Sequence, residues 1–169
     1  VDGEISEHDI EPYLYPKLDD DNFKPTALYF SYFFKWSMAD NYDFVKKKLV
    51  KFKTSEFGRT CGTSTNFDSL DDKIDDLYYY MQYIKFGFGR CVRDASRLVQ
   101  NNRISRKDAI NYVKKHDGEF PKNNLDQVLN YLSLDIKEFQ EIVDKHRNDE
   151  IWSKNNKNDW LNSWELKTK

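Results

Sequence analysis

A chain of 169 residues suits one domain, or one domain with an extended arm, and is long enough for a single core. Aromatic residues make up 16% of it and charged residues 33%, so that core must rely on Phe, Tyr and Trp more than on Leu and Val. A formal net charge of -2 argues against a nucleic-acid binder working through bulk electrostatics, and two cysteines build no disulfide framework and point to a reducing cytoplasm.

Residues 1–25 are acidic, carry Pro12 and Pro16 and show no clear period, which predicts an extended or partly ordered arm. Val1 in place of Met reads as the mark of a processed, excised or truncated polypeptide, and no apolar stretch behind basic residues suggests a retained secretion signal. Pro25 to Trp36 is aromatic and apolar, compatible with a buried strand or a short helix. The longest apolar run, Ala27 to Phe34, is interrupted by Ser31 and is too short to cross a bilayer, so no membrane partner is expected. Ala39 to Phe52 then predicts a helix with Tyr42, Val45, Leu49 and Phe52 on one side and Lys46, Lys47, Lys48, Lys51 and Lys53 on a solvated face. Thr54 to Asp68 is a polar loop long enough to be functional. In it Arg59, Thr60 and Thr63 offer a guanidinium and two hydroxyls for a sugar or phosphate, and Gly58 and Gly62 let backbone amides turn inward.

The segment from Ser69 to Arg97 is the richest in chemistry. Ile74, Leu77, Tyr78, Met81, Ile84 and Phe88 recur at helical spacing, and Ser69 with Asp72 resembles a capping box that starts the helix near Leu70. Asp71, Asp72, Asp75 and Asp76 crowd its first turns, where they either complement the helix dipole or bind a ligand. Gly87 and Gly89 each cost on the order of 1 kcal/mol inside a helix, so they mark a kink, a break or a close approach. On a continuous helix Lys85 and Arg90 would point roughly 140° apart, and only a kink would bring them to one anion. Arg90, Asp94 and Arg97 share a face, either as a solvated ladder of ion pairs or as guanidinium forks for phosphate or carboxylate.

The second half is helical. Ser105 to His116 starts on an N-cap serine with Asp108 three residues on, and Asp117-Gly118 with Pro121 end it. Asn124 to Leu132 and Asp135 to His146 are two short helices with Leu125, Val128, Leu129, Leu132, Phe139, Ile142 and Val143 inward. His116 and His146 follow helix ends and are expected to meet terminal carbonyls; neither they nor His8 belong to a nucleophile constellation. The tail from Trp152 through Trp160 to Trp164 reads as an irregular flap or a weak hairpin.

These residues carry a resemblance. Phe33-Phe34-Lys35-Trp36, Arg59-Thr60, Gly62-Thr63, Ser69 through Arg90, Asp94-Ala95-Ser96, Ile104-Ser105-Arg106 and Phe120-Pro121 after Asp117-Gly118-Glu119 form a connected set. Together with Val143-Asp144-Lys145, Arg147 and Trp152 this set resembles the C-terminal part of the N-acetyl sugar amidotransferases. That family serves bacterial LPS, O-antigen and pseudaminic-acid-type biosynthesis and is related to the ATP pyrophosphatases. Cys61 and Ser64 depart from its pattern, which has an acid and an aromatic at those places.

The resemblance implies ATP-dependent conversion of a sugar N-acetyl group to an acetamidino group, by transfer of AMP to the amide oxygen and attack of ammonia on the activated carbon. It implies ATP and Mg as cofactors, an N-acetyl sugar as substrate, and a glutaminase and an ammonia-channelling subunit as partners. Lys85 and Arg90 are the catalytic candidates, as cations placed where phosphate charge develops. Arg59, Thr60, Thr63, Asp72, Lys73, Asp75 and Asp94 are the candidates for binding substrate, and no residue is proposed as a metal ligand. The Ser-Gly-Gly-x-Asp-Ser nucleotide loop of such enzymes does not occur in the sequence, and Cys61 and Cys91 lack Cys-x-x-Cys partners. The chain is therefore expected to contribute part of an enzyme and to be inactive alone. The alternative is a helical docking module for a glutaminase or another subunit.

The expected fold is mainly α: a small helical bundle with one long helix that the glycines can kink, an extended N-terminal arm, and room for one or two short strands. Residues 1–25 form the arm, 26–150 the helical domain and 151–169 a tail rich in Trp, Asn and Lys.

Overall fold

The computed structural model describes residues 5–14, 26–48 and 51–167. The protein is mainly α, with eight α-helices and one two-stranded antiparallel sheet among the described residues. It divides into two units, Val1–Trp36 and Ser37–Lys169.

In the first unit, α1 (Glu7–Ile10) runs into a 3-10 turn (Glu11–Tyr13) that carries Pro12 at its start. Most of the acidic arm lies outside the described residues. The aromatic segment expected as a buried strand or short helix is the single turn α2 (Phe30–Phe33), and it is not buried: Tyr29, Tyr32, Phe33, Phe34 and Trp36 are all more than half exposed. One turn is too short to present an inward stripe, and its rings pack on each other instead, Phe30 stacking on Phe34 at 4.7 Å.

In the second unit α3 (Met38–Lys48) starts where the Ser37 hydroxyl accepts the Asp40 N–H at 3.2 Å, and its lysines are exposed as expected. Leu49, assigned to the same helix by its spacing, lies outside the described residues. Tyr42 anchors α3 by stacking on Phe67 at 4.4 Å.

The long kinked helix is in fact two. α4 (Asp75–Phe86) stops at Gly87, whose φ of +74° is left-handed and whose N–H closes onto the Tyr83 carbonyl, and α5 (Arg90–Gln100) begins anew. The start of α4 also differs from expectation. The Asp72 carboxylate accepts the Ile74 N–H at 2.8 Å, while the Ser69 hydroxyl turns to Arg90, so no Ser69–Asp72 box forms and the helix begins five residues later than Leu70. Phe88, beyond the break, is off the helix and Tyr78 is exposed, so neither joins the buried stripe.

α6 (Arg106–His116) packs on α5 and begins with the Ser105 hydroxyl accepting the Asp108 N–H, as its sequence predicts. α7 (Leu125–Tyr131) and α8 (Ile136–Lys145) follow, the latter opened by a capping box between Asp135 and Glu138. Ile84, Leu125, Leu129, Phe139 and Val143 form the core, with Leu77, Tyr80, Met81 and Tyr83 of α4 against it; Leu132 faces out.

The tail folds back as the hairpin β1 (Trp152–Lys154) and β2 (Trp160–Asn162), with Trp152 opposite Asn162. Its anchor is the Trp152 indole, which donates to the Ile84 carbonyl at 2.7 Å, while the Arg147 guanidinium lies 4.5 Å from the Trp152 ring and 5.0 Å from that of Trp160. His146 bonds the Ile142 carbonyl at 2.9 Å, the role expected of a histidine after a helix end. No helix among the described residues is long and apolar enough to cross a membrane.

Candidate functional site

The loop from Thr54 to Asp68 is held by its own polar groups and by the segment after α6. The Arg59 guanidinium donates to the carbonyls of Thr60 at 3.0 Å and Thr63 at 2.7 Å and pairs with Glu119 at 2.7 Å. Glu119 also accepts the Gly62 N–H at 3.0 Å. Burial pushes the Glu119 carboxyl up, but the Gly62 N–H and Arg59 outweigh it and hold the group below the ordinary Glu value. The Thr60 hydroxyl donates to the Asp68 carbonyl, closing the loop's base.

Behind this loop lies a buried ionic network. Asp94 accepts from the Thr63 hydroxyl at 2.8 Å, from Arg90 Nε at 3.3 Å and from Arg93 Nε at 3.0 Å. Arg90 Nη2 reaches the Ser69 hydroxyl at 3.1 Å, and the Tyr79 ring lies 4.4 Å from the Arg90 guanidinium and 5.0 Å from that of Arg93. Arg90 is only 2% exposed, and its Nη1 has no hydrogen-bond partner among the described residues.

The geometry of Arg90 depends on how α5 begins. Asp117, just past α6, accepts the N–H groups of Gly89 at 2.8 Å and Cys91 at 3.0 Å, supplying from another helix the cap that Gly89 cannot. A Cβ at Gly89 would stand 2.9 Å from that carboxylate, which accounts for the glycine. Cys91 and Cys61 are both buried, and burial first, then the nearby acids Asp117 and Glu119 respectively, pushes each thiol up to about 12.

In front of the network opens a cleft of about 340 Å³, walled by the loop between Lys53 and Cys61 on one side, by Ser69, Leu70, Asp72, Lys73 and Asp76 on another, and by Asn123 and Asn124 at the start of α7. Its charges balance: Lys53, Arg59 and Lys73 against Glu56, Asp72 and Asp76. Three of the six are already engaged, Lys73 with the Gln127 side chain at 2.8 Å, Asp72 with Ile74 and Arg59 with Glu119. Burial pushes the Asp76 carboxyl above the ordinary value, reinforced by Asp75 and Glu119 and opposed by Arg90 and Arg59.

The expected site residues thus fall into three groups. Arg59, Thr60, Asp72 and Lys73 line the cleft. Thr63, Arg90 and Asp94 meet one layer behind it, in the buried network. Lys85 and Asp75 do not line the cleft: Lys85 is exposed in a groove with Tyr78, Tyr79, Phe86 and Arg93, and Asp75 sits in the first turn of α4. Lys85 and Arg90 therefore do not converge on one anion, since the break at Gly87 leaves Lys85 outside and Arg90 inside.

Lys53, Asn123 and Asn124 line the cleft without having been candidates from sequence, and Asp76 lines it too, offered there only as one of the acid run. The acid run held the signal for Asp76 without saying which acid faces inward, and nothing in the sequence around the asparagines marks them. Among the described residues no glycine lines the cleft, so it offers no glycine-rich backbone cradle for a triphosphate. No glycine-rich phosphate loop is present in the sequence, and among the described residues no group of three His, Cys, Asp or Glu is placed to hold a metal ion.

Residues 61–168 match the family described as LPS biosynthesis protein WbpG-like, C-terminal domain. The match takes in α4 to α8, the hairpin and the cleft walls from Cys61 onward, and leaves the Lys53–Thr60 wall outside it. No curated protein matches the chain.

Proposed function

The chain belongs to the family of LPS biosynthesis proteins with a WbpG-like C-terminal domain, and from that premise we propose that it is the sugar-holding portion of an ATP-dependent amidotransferase. The complete enzyme converts a sugar N-acetyl group to an acetamidino group. ATP is held by a part of the enzyme other than these residues, and a glutaminase with an ammonia-channelling subunit supplies the nitrogen.

The observation that carries this reading is the cleft. Its volume of about 340 Å³ lies at the small end of the range for small-molecule sites. Its walls alternate short donors and acceptors, Ser55, Thr60, Ser69, Asn123 and Asn124, with the apolar surfaces of Phe57 and Leu70. Hydroxyl and acetamido groups need partners that both donate and accept, while sugar C–H faces need apolar contact. Lys53 and Lys73 add cations suited to a sugar phosphate. Arg90, enclosed and bonded to Ser69, acts in this reading by positioning that wall.

In the complete enzyme Lys73→Met and Asn124→Ala are expected to raise KM for the N-acetyl sugar about tenfold, the order of one lost charge-assisted or buried hydrogen bond. Lys85→Met is expected to leave that KM unchanged. A raised KM in Lys85→Met with unchanged KM in the two cleft variants contradicts the assignment.

One observation favours the docking-module alternative: the exposed aromatic segment Tyr29 to Trp36. Replacing Phe30, Phe33 and Trp36 by Ser separates the two. Loss of glutamine-dependent turnover with ammonia-dependent turnover intact assigns the segment to the glutaminase, and no change in either rejects that role.

A further inference from the structure

We propose that Asp76 is the group in the cleft that distinguishes product from substrate, its carboxylate taking the acetamidino group in preference to the acetamido group. This deepens the amidotransferase reading and rests on it for the identity of the ligand.

The inference starts from an inventory of carboxylates around the cleft. Asp72 already accepts the Ile74 N–H, and Glu119, behind the wall, is tied to Arg59 and Gly62. Glu56 is exposed at the rim. Asp76 is partly buried, lines the cleft, and accepts no hydrogen bond from a side chain or a neighbouring backbone among the described residues. A carboxylate is an acceptor only, and one that lines a cleft without a protein donor among the described residues is open to a donor carried by a ligand.

The chemistry of the conversion selects that ligand. An acetamido group presents one N–H donor and a carbonyl acceptor. Replacing that oxygen by nitrogen gives an amidinium, planar and cationic, with donors on both nitrogens. The change at the reacting carbon is therefore from acceptor to donor, and an acceptor-only partner at that place disfavours the amide oxygen and favours the amidinium nitrogen. The charged groups that face Asp76 are compatible with a cation. Arg90 is balanced by Asp94 and Arg59 by Glu119, while Asp75 adds negative charge from the same helix.

The test uses the 169-residue chain, with acetamidinium chloride, acetamide and N-acetylglucosamine as probes followed on backbone amide resonances. The expected result is that acetamidinium binds at Asp76 about tenfold more tightly than acetamide, the order of one hydrogen bond to a charged group. Asp76→Asn is expected to abolish that preference while the backbone amide spectrum stays that of a folded chain. Equal binding of acetamidinium and acetamide, or a preference that survives in Asp76→Asn, overturns the assignment. Should the variant fail to fold, the pH dependence of the unsubstituted chain decides. A preference lost as pH falls and Asp76 protonates upholds the assignment, and a preference indifferent to pH overturns it. Binding of N-acetylglucosamine without any preference sinks the role of Asp76 and leaves the sugar site standing. A preference through Asp76 without sugar binding upholds Asp76 and sinks the sugar site.

Discussion

The Asp117 carboxylate accepts the backbone N–H of Gly89 at 2.8 Å, so the end of one helix caps the beginning of another. That bond, with its partner at Cys91, fixes the first turn of α5 and hence the direction in which Arg90 enters the interior. Asp117→Ala removes both acceptors and is expected to destabilise the fold by about 1–3 kcal/mol, as for a lost cap whose donors stay partly buried. Urea unfolding checks the value, and an unchanged midpoint would show that water replaces the carboxylate without cost.

Removing Asp94 should cost more than removing its partner. Asp94→Ala leaves the Arg90 guanidinium enclosed without its counter-ion, a change of about 3–5 kcal/mol. Arg90→Met leaves Asp94 still bonded to Arg93 and Thr63, so the loss is expected to be smaller, and Asp94→Ala combined with Arg90→Met should recover part of the single-variant loss. Equal destabilisation by the two single changes contradicts this ordering.

Gly87 and Gly62 share a left-handed backbone but differ in surroundings. A Cβ at Gly87 would clash with the Trp164 ring and stand 2.6 Å from Ile151, whereas among the described residues nothing beyond its own chain neighbours lies within 4 Å of one at Gly62. Gly62→Ala should cost about 1 kcal/mol of backbone strain, and Gly87→Ala about 1–3 kcal/mol more for the displaced hairpin. Thermal unfolding of both variants gives the comparison. Loss of Trp164 fluorescence change in Gly87→Ala alone would locate the effect.

The Glu119 carboxyl is held below its ordinary value, so its ionised form is the one the fold prefers. That contribution is present above the unfolded-state value near 4.5 and is lost as pH falls through the lower folded-state value. Glu119→Gln is expected to be less stable than the parent at neutral pH and to approach it in acid, as read from urea midpoints across that window. A difference that is constant with pH would show that Glu119 acts through shape alone.

Much of the fold was legible because local signals agreed with tertiary packing. Ser105 with Asp108 opens α6 as its sequence predicts, and the inward residues Leu125, Leu129, Phe139 and Val143 form the core with Ile84. Where long-range polar bonds compete, local reading failed. Ser69 looked like a cap and is instead the Arg90 partner, and the continuity of the helix across Gly87 could not be judged without Trp164 above it. The candidate site was legible by residue type and not by layer. Arg59, Asp72 and Lys73 reach the cleft, while Asp94, equally polar in sequence, is taken up by Arg90 beneath it and Thr63 donates to that same Asp94. Lys85 is exposed on a helix face that the core leaves outside.

The central claim is that the cleft between Lys53 and Asp76 holds an N-acetyl sugar, and the most direct measurement is a map of backbone amide shifts as N-acetylglucosamine is added to the chain. Shifts confined to the neighbourhood of Thr60, Asp72, Asp76 and Asn124 are the expected result. Shifts centred on Tyr78, Lys85 and Phe86, or none at all, would contradict it.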